Sequence, residues 1–142
     1  GIYGNLTSSV FPNWGLGNGT TQVAYAFASK PGFSKIGSYT GNGSATAGPF
    51  INTGFKPAWI MFKRTSTAGN SWTIFDIKRD SDNFMQNILY ANLSNAEATG
   101  SAGYVDALSN GFKIRASDNF LNNGTILYMA FAESPFKYAN AR

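Results

Sequence analysis

Nowhere along these 142 residues do apolar side chains recur at a helical spacing between recognisable caps. Apolar runs of strand length occur instead, cut by Gly and Asn turns about every ten residues. Residues 111–116 are the cleanest case: Phe112 and Ile114 point one way, Lys113 and Arg115 the other. Residues 57–64 (PAWIMFKR) are apolar at consecutive positions, so both faces of that strand are expected to be covered, with Trp59 in the core. Residues 22–28, 34–40, 71–78, 104–108 and 125–132 read as further strands, and 84–91 is ambiguous. Asn110-Gly111 is a hairpin signal. The pattern predicts an all-β sandwich or barrel.

The composition supports a packed domain with an unusual surface. Hydrophobic residues are 43% and aromatics 15% (12 Phe, 7 Tyr, 3 Trp), too apolar for a disordered chain. Charged residues are only 13%, about half the ~25% usual in soluble domains. Gly, Asn, Ser and Thr fill the difference, and they favour turns and strands over helices. There is no His and no Cys. That excludes His general bases, Ser–His and Cys–His nucleophiles, disulfides, and metal sites built on those ligands. No cofactor is expected.

The net charge of +4 supports only weak attraction to anionic surfaces. The tight basic pairs are Lys63-Arg64 and Lys78-Arg79, and Asp80 and Asp82 follow the second. A nucleic-acid partner is therefore not expected. No apolar run approaches the ~20 residues of a membrane helix. The start of the chain lacks a basic, apolar leader and begins with Gly. It reads as a processed product, an expressed piece or part of a longer polypeptide. Asn5, Asn18, Asn42, Asn92 and Asn123 head Asn-x-Ser/Thr triplets, an expected by-product of a chain so rich in Asn, Ser and Thr.

Two regions are expected. Residues 1–33 form an extended N-terminal arm and a first strand, and residues 34–142 form the β-sandwich. Tyr3, Phe11 and Trp14 are too apolar for a free tail and are assigned to assembly, against this domain or a neighbouring subunit. Ala26-Phe27-Ala28 with Pro31 recurs as Ala130-Phe131-Ala132 with Pro135. The echo is either chance in a biased composition or the end of an upstream module in an array.

Five blocks carry a family resemblance. They are SYTGNGS (38–44) with GPF (48–50) and TGFKPAWIMFKR (53–64), Phe75-Asp76 with Arg79, SNGF (109–112), and YMAFA (128–132). In this order the chain resembles a repeat module of tailed-bacteriophage virion surface proteins, tail-fibre-like and found in phages of aquatic bacteria. The resemblance covers about residues 22–137. It implies a lectin-like, concanavalin or jelly-roll-like antiparallel two-sheet sandwich. It also implies a virion location, partners among other virion proteins or copies of itself, and a homo-oligomer, trimeric by analogy. It brings no catalytic residues, and no enzymatic activity is expected. The expected function is a structural and adhesive module of a phage appendage that contributes to host-surface glycan attachment. The alternative is a purely architectural capsid-decoration or spacer protein.

Individual residues admit two readings each. Asp76 could accept a sugar hydroxyl, but Arg79 three positions on favours a structural ion pair. Asp80-Ser81-Asp82-Asn83 lacks the Gly and distal Glu of a calcium loop and reads as a solvated turn. Trp72 follows the Gly69-Asn70-Ser71 turn, where an aromatic face beside an amide suits a sugar. Tyr104 follows a Gly-rich stretch and is expected to be exposed. Asn70, Trp72 and Tyr104 are therefore the candidate ligand-binding residues, set against burial of Trp72 in the sandwich.

Overall fold

A computed structural model describes residues 23, 25–80, 82–100 and 104–135. Tyr3, Phe11 and Trp14 lie outside the described residues. In chain order the elements are β1 (Ser34–Asn42), β2 (Phe50–Asn52), β3 (Pro57–Arg64), β4 (Thr73–Asp76), β5 (Phe84–Met85), β6 (Asn87–Tyr90), β7 (Ala98–Thr99), β8 (Val105–Leu108), β9 (Gly111–Ile114), the one-turn helix α1 (Asn119–Asn122) and β10 (Asn123–Ala132). A six-stranded sheet has the order β1-β10-β3-β4-β6-β7, and a four-stranded sheet the order β2-β9-β8-β5. Every pairing is antiparallel. The two sheets pack face to face as an all-β sandwich, as the alternation in the sequence predicts.

Inward residues of both sheets make one aromatic core. Phe62 and Phe75 from the larger sheet and Phe112 from the smaller are fully buried. The Phe112 ring stands edge-on to Phe62 at 5.5 Å and to Tyr128 at 5.2 Å. Tyr39 closes the group against Phe62 and Phe112, at 6.4 and 6.2 Å. Its hydroxyl donates to the carbonyl of Leu121 at 2.6 Å, and burial pushes its phenol far above the ordinary range. A Cβ on Gly37 would stand 2.9 Å from the Tyr128 hydroxyl, so glycine there makes room for that ring.

Trp59 departs from its expected place in the core. Strand alternation turns Ile60 and Phe62 inward, which sends Trp59 and Met61 to the outer face. There Trp59 packs on Phe131 at 5.6 Å and stays half-buried. Residues 25–28, expected within a strand, lie in none, and Gln22 is outside the described residues. Side chains hold this segment in place of a ladder. Ser29 Oγ takes the Ile36 amide at 2.9 Å, and Ser34 Oγ donates to the Ala28 carbonyl at 2.7 Å.

The ambiguous stretch 84–91 proves to be a strand that changes sheets. Its first half is β5 in the smaller sheet and its second half β6 in the larger. Asp80 pins the corner. Its buried carboxylate accepts from the Gln86 and Asn87 amides at 3.0 and 3.1 Å, and from Asn87 Nδ2 at 2.6 Å. Asp80 is thus a buried acceptor, although Asp82 and Asn83 are exposed as a solvated turn requires. Fully buried Asn122 does the same at the far end. Its side chain takes the Asn42 amide and donates to the carbonyls of Ser44 and Ala116.

A third polar clamp ends β4. Arg79 Nε reaches Asp76 Oδ2 at 2.5 Å, and another Arg79 nitrogen reaches Glu97 at 2.6 Å. The Lys78 and Arg79 amides both donate to Asp76 Oδ1 at 3.0 Å. Burial alone would raise the Asp76 carboxyl, but the bonds and charge of Arg79 with the Lys78 amide outweigh it and hold the group below its ordinary value. A lowered folded value means the stabilisation is complete above the unfolded value of about 4 and is lost as pH falls through the folded one. Asp76→Asn is expected to lower the melting temperature at pH 7 and to flatten its decline below about pH 4. A variant whose acid profile matches the parent would refute the clamp.

Thr73 Oγ1 is buried with no hydrogen-bond partner. Removing such a hydroxyl without changing shape relieves an unpaid desolvation. Thr73→Val is expected to raise stability by about 1 kcal/mol in urea unfolding, whereas Tyr39→Phe lowers it by about 1–2 kcal/mol. Equal signs for the two would contradict these placements.

Candidate functional site

The loops after β3 and after β6 meet at one end of the larger sheet, because Phe62 near the end of β3 and Tyr90 at the end of β6 both pair with Thr73, the first residue of β4. Between them sits Trp72. Its amide donates to Asn92 Oδ1 at 2.8 Å, and its carbonyl accepts from the Ala91 amide at 3.0 Å. These bonds fix the backbone that carries the indole. The residue is 37% exposed.

Lys63 is the last outward residue before β3 ends, so its side chain reaches over the same loop. Its ammonium lies 5.9 Å from the centroid of the Trp72 ring and donates to the Asn70 carbonyl. Asn70 is half-buried, and its Nδ2 donates to the Thr67 carbonyl at 3.2 Å. Gly69 adopts φ +84°, which lets the chain turn tightly just ahead of Asn70. The result is a small fixed surface: an aromatic face, an ammonium beside it, and amides at its edge. Such a surface offers stacking to an apolar sugar face and hydrogen bonds to hydroxyls.

Of the three candidate ligand residues, the structure brings Asn70 and Trp72 together and sets Tyr104 elsewhere. Tyr104 is half-buried at the rim of the sandwich interior, with its ring 5.8 Å from Phe75 and 5.6 Å from Phe120. Burial chiefly, then the nearby Asp118 and Tyr90, push its phenol up. Trp72 stands on the outer side, with Lys63. Lys63, read in the sequence only as half of a basic pair, and Asn92, read only as the head of an Asn-x-Ser triplet, join the surface. The parity of β3 could have placed Lys63, since it follows inward Phe62; nothing local marks Asn92.

A second concavity, of about 330 Å³, lies at the opposite end of the larger sheet. Lys56, Lys78, Asp80, Asp82, Asn83 and Glu133 supply its polar lining. Its charges are largely spoken for: Lys56 pairs with Glu133 at 2.8 Å, and Asp80 is committed to the β5–β6 corner. On the smaller sheet Asp106 is buried and paired with Arg115. Among the described residues no group of three or more His, Cys, Asp or Glu could hold a metal ion. At the Trp72 loops a part-exposed aromatic lies beside an ammonium and side-chain amides.

The family described as a domain of unknown function (DUF7483) matches residues 3–135. No curated protein and no solved structure matches the chain. The match covers nearly the whole of the 142 residues, and the chain belongs to the DUF7483 family.

Proposed function

We propose that this chain is a non-enzymatic structural and adhesive module of a bacteriophage surface appendage, a tail fibre or similar, and that it attaches to a host-surface glycan through the Trp72 loops. The observation that carries the glycan reading is the fixed, part-exposed Trp72 ring with Lys63 beside it. A sugar ring is a flat apolar body edged with hydroxyls. An aromatic face with neighbouring donors and acceptors matches it without strong charge. Because Asn92 and Ala91 already hold the Trp72 backbone, little ordering is left for the moment of binding. The ammonium of Lys63 adds a preference for glycans that carry a carboxylate or phosphate.

The virion setting rests on the five sequence blocks that resemble phage surface modules. The physics suits it. A particle that persists outside cells gains from a slow-unfolding domain, and non-local strand pairing around an aromatic core supplies one. The free-standing alternative is an architectural domain that contacts only copies of itself or the capsid.

A glycan array and pull-down with host-surface polysaccharide test the proposal on the full chain. Binding is expected, and Trp72→Ala is expected to weaken it by about 30-fold, the loss typical of an interface hot spot, with the thermal melt preserved. Lys63→Met should reduce binding to acidic glycans more than to neutral ones. Retention of full affinity by Trp72→Ala would move the site elsewhere. Failure of the folded protein to bind any host polysaccharide would leave the architectural role.

A further inference from the structure

The turn ahead of β1 and the loop after β2 frame a further cavity, of about 490 Å³. One wall is the turn Lys30-Pro31-Gly32-Phe33. The Phe33 amide closes it on the Lys30 carbonyl at 3.0 Å, and Pro31 followed by Gly32 at φ +72° suits a type II turn. The other wall is Thr53 and Gly54, whose amides both donate to the Asn110 carbonyl, at 3.0 and 3.1 Å. Buried Thr53 also donates its hydroxyl to the Phe55 carbonyl at 2.6 Å. Both walls are therefore held by the chain's own bonds. A Cβ on Gly32 or Gly54 would meet nothing within 4 Å, so the space beside each turn is open.

The charge at this cavity has one sign. Lys30 and Lys35 line it and no acid does. Both lysines are exposed, and among the described residues neither takes part in an ion pair. Glu133 follows Ala132, whose amide donates to the Phe33 carbonyl at 2.9 Å, but its carboxylate pairs with Lys56 at 2.8 Å. The register makes Lys35 unusual. It pairs with Ala130, as Gly37 pairs with Tyr128 and Tyr39 with Ile126. Those three partners are buried in the core, so Lys35 occupies an inward position at the end of β1. It sets an uncompensated ammonium where the two sheets open.

We propose that this cavity binds a phosphomonoester carried on a small, sugar-sized body. Two ammoniums without counter-charges match the charge of about −2 that such a group carries near pH 7. Lysine meets phosphate as a point charge and needs no fixed fork geometry. The volume is in the range of small-molecule sites, and Pro31 with the lysine stems offers apolar wall to the rest of the ligand. The proposal does not rest on the glycan reading, which concerns the Trp72 loops, and either can fail without the other.

Titration of the 15N-labelled full chain with glucose 6-phosphate tests it, with inorganic phosphate and glucose as the other arms. The Gly32, Lys35 and Gly54 amide signals are expected to shift together. Glucose 6-phosphate is expected to bind at least about tenfold more tightly than inorganic phosphate, and glucose not to move these signals. Lys30→Gln combined with Lys35→Gln should raise the dissociation constant at least about tenfold with the melting temperature held, whereas the corresponding double Arg variant keeps the parental affinity. Three outcomes overturn the proposal. The three amides stay still; or the double Gln variant binds as the parent does; or glucose 6-phosphate binds no more tightly than inorganic phosphate, so that the lysines serve only to blunt the open edge of β1.

Discussion

The stack of rings around Phe112 is what makes two sheets into one domain. Phe112 is the large aromatic that the four-stranded sheet sends across the interior, and it lands between Phe62 and Tyr128 of the six-stranded sheet. Edge-to-face contacts of this kind add about 0.5–1.5 kcal/mol each beyond the area they bury. Their direction matters as much as their strength. Phe112 lies in the β8–β9 hairpin, Tyr128 in β10, and Phe62 in β3, so the cluster ties together segments far apart in sequence. The loop that carries Asn70 and Trp72 leaves β3, one of the strands this cluster holds together.

Polar residues then specify what an aromatic core cannot. Hydrophobic burial is non-directional and would tolerate β5 and β6 as one strand in either sheet. Asp80 removes the ambiguity, because its buried carboxylate is satisfied only when Gln86 and Asn87 both turn their amides toward it. Asn122 fixes the opposite end by bonding three separate backbone groups. Asp76 and Arg79 fix the exit from β4. These groups look chemical in a sequence, and acids are scarce enough here to invite that reading. In the fold Asp76 and Asp80 are spent on geometry.

This division of labour decides how much could be read in advance. The bounds of β3 and the alternation of β9 are local facts and were legible, as was the two-residue turn between β8 and β9. The structural role of Asp76 with Arg79 followed from spacing alone. Trp59 was misplaced because a run of consecutive apolar residues does not say which parity faces the core, and the interior took Ile60 and Phe62. Residues 22–28 have strand composition, but in residues 25–29 the bonds of Ser29 and Ser34 decide the path. At the candidate site, Asn70 and Trp72 belong to one short turn and could be found together. Tyr104 could not be separated from them, since its packing against Phe75 and Phe120 depends on a crossing that no local pattern encodes.

The outer face of the larger sheet sets the candidate site beside apolar neighbours. Lys63 pairs with Leu127, and Trp72 lies beside Lys63. Met61 and Met129 pair with each other on the same side, and Trp59, Phe131 and Phe27 lie at the other end. Strand alternation fixes this order, because turning Ile60 and Phe62 into the core sends Trp59, Met61 and Lys63 to the outer side. The ammonium of Lys63 is therefore held beside Trp72 by the same parity that builds the aromatic core, and a one-residue slip of β3 would lose both at once.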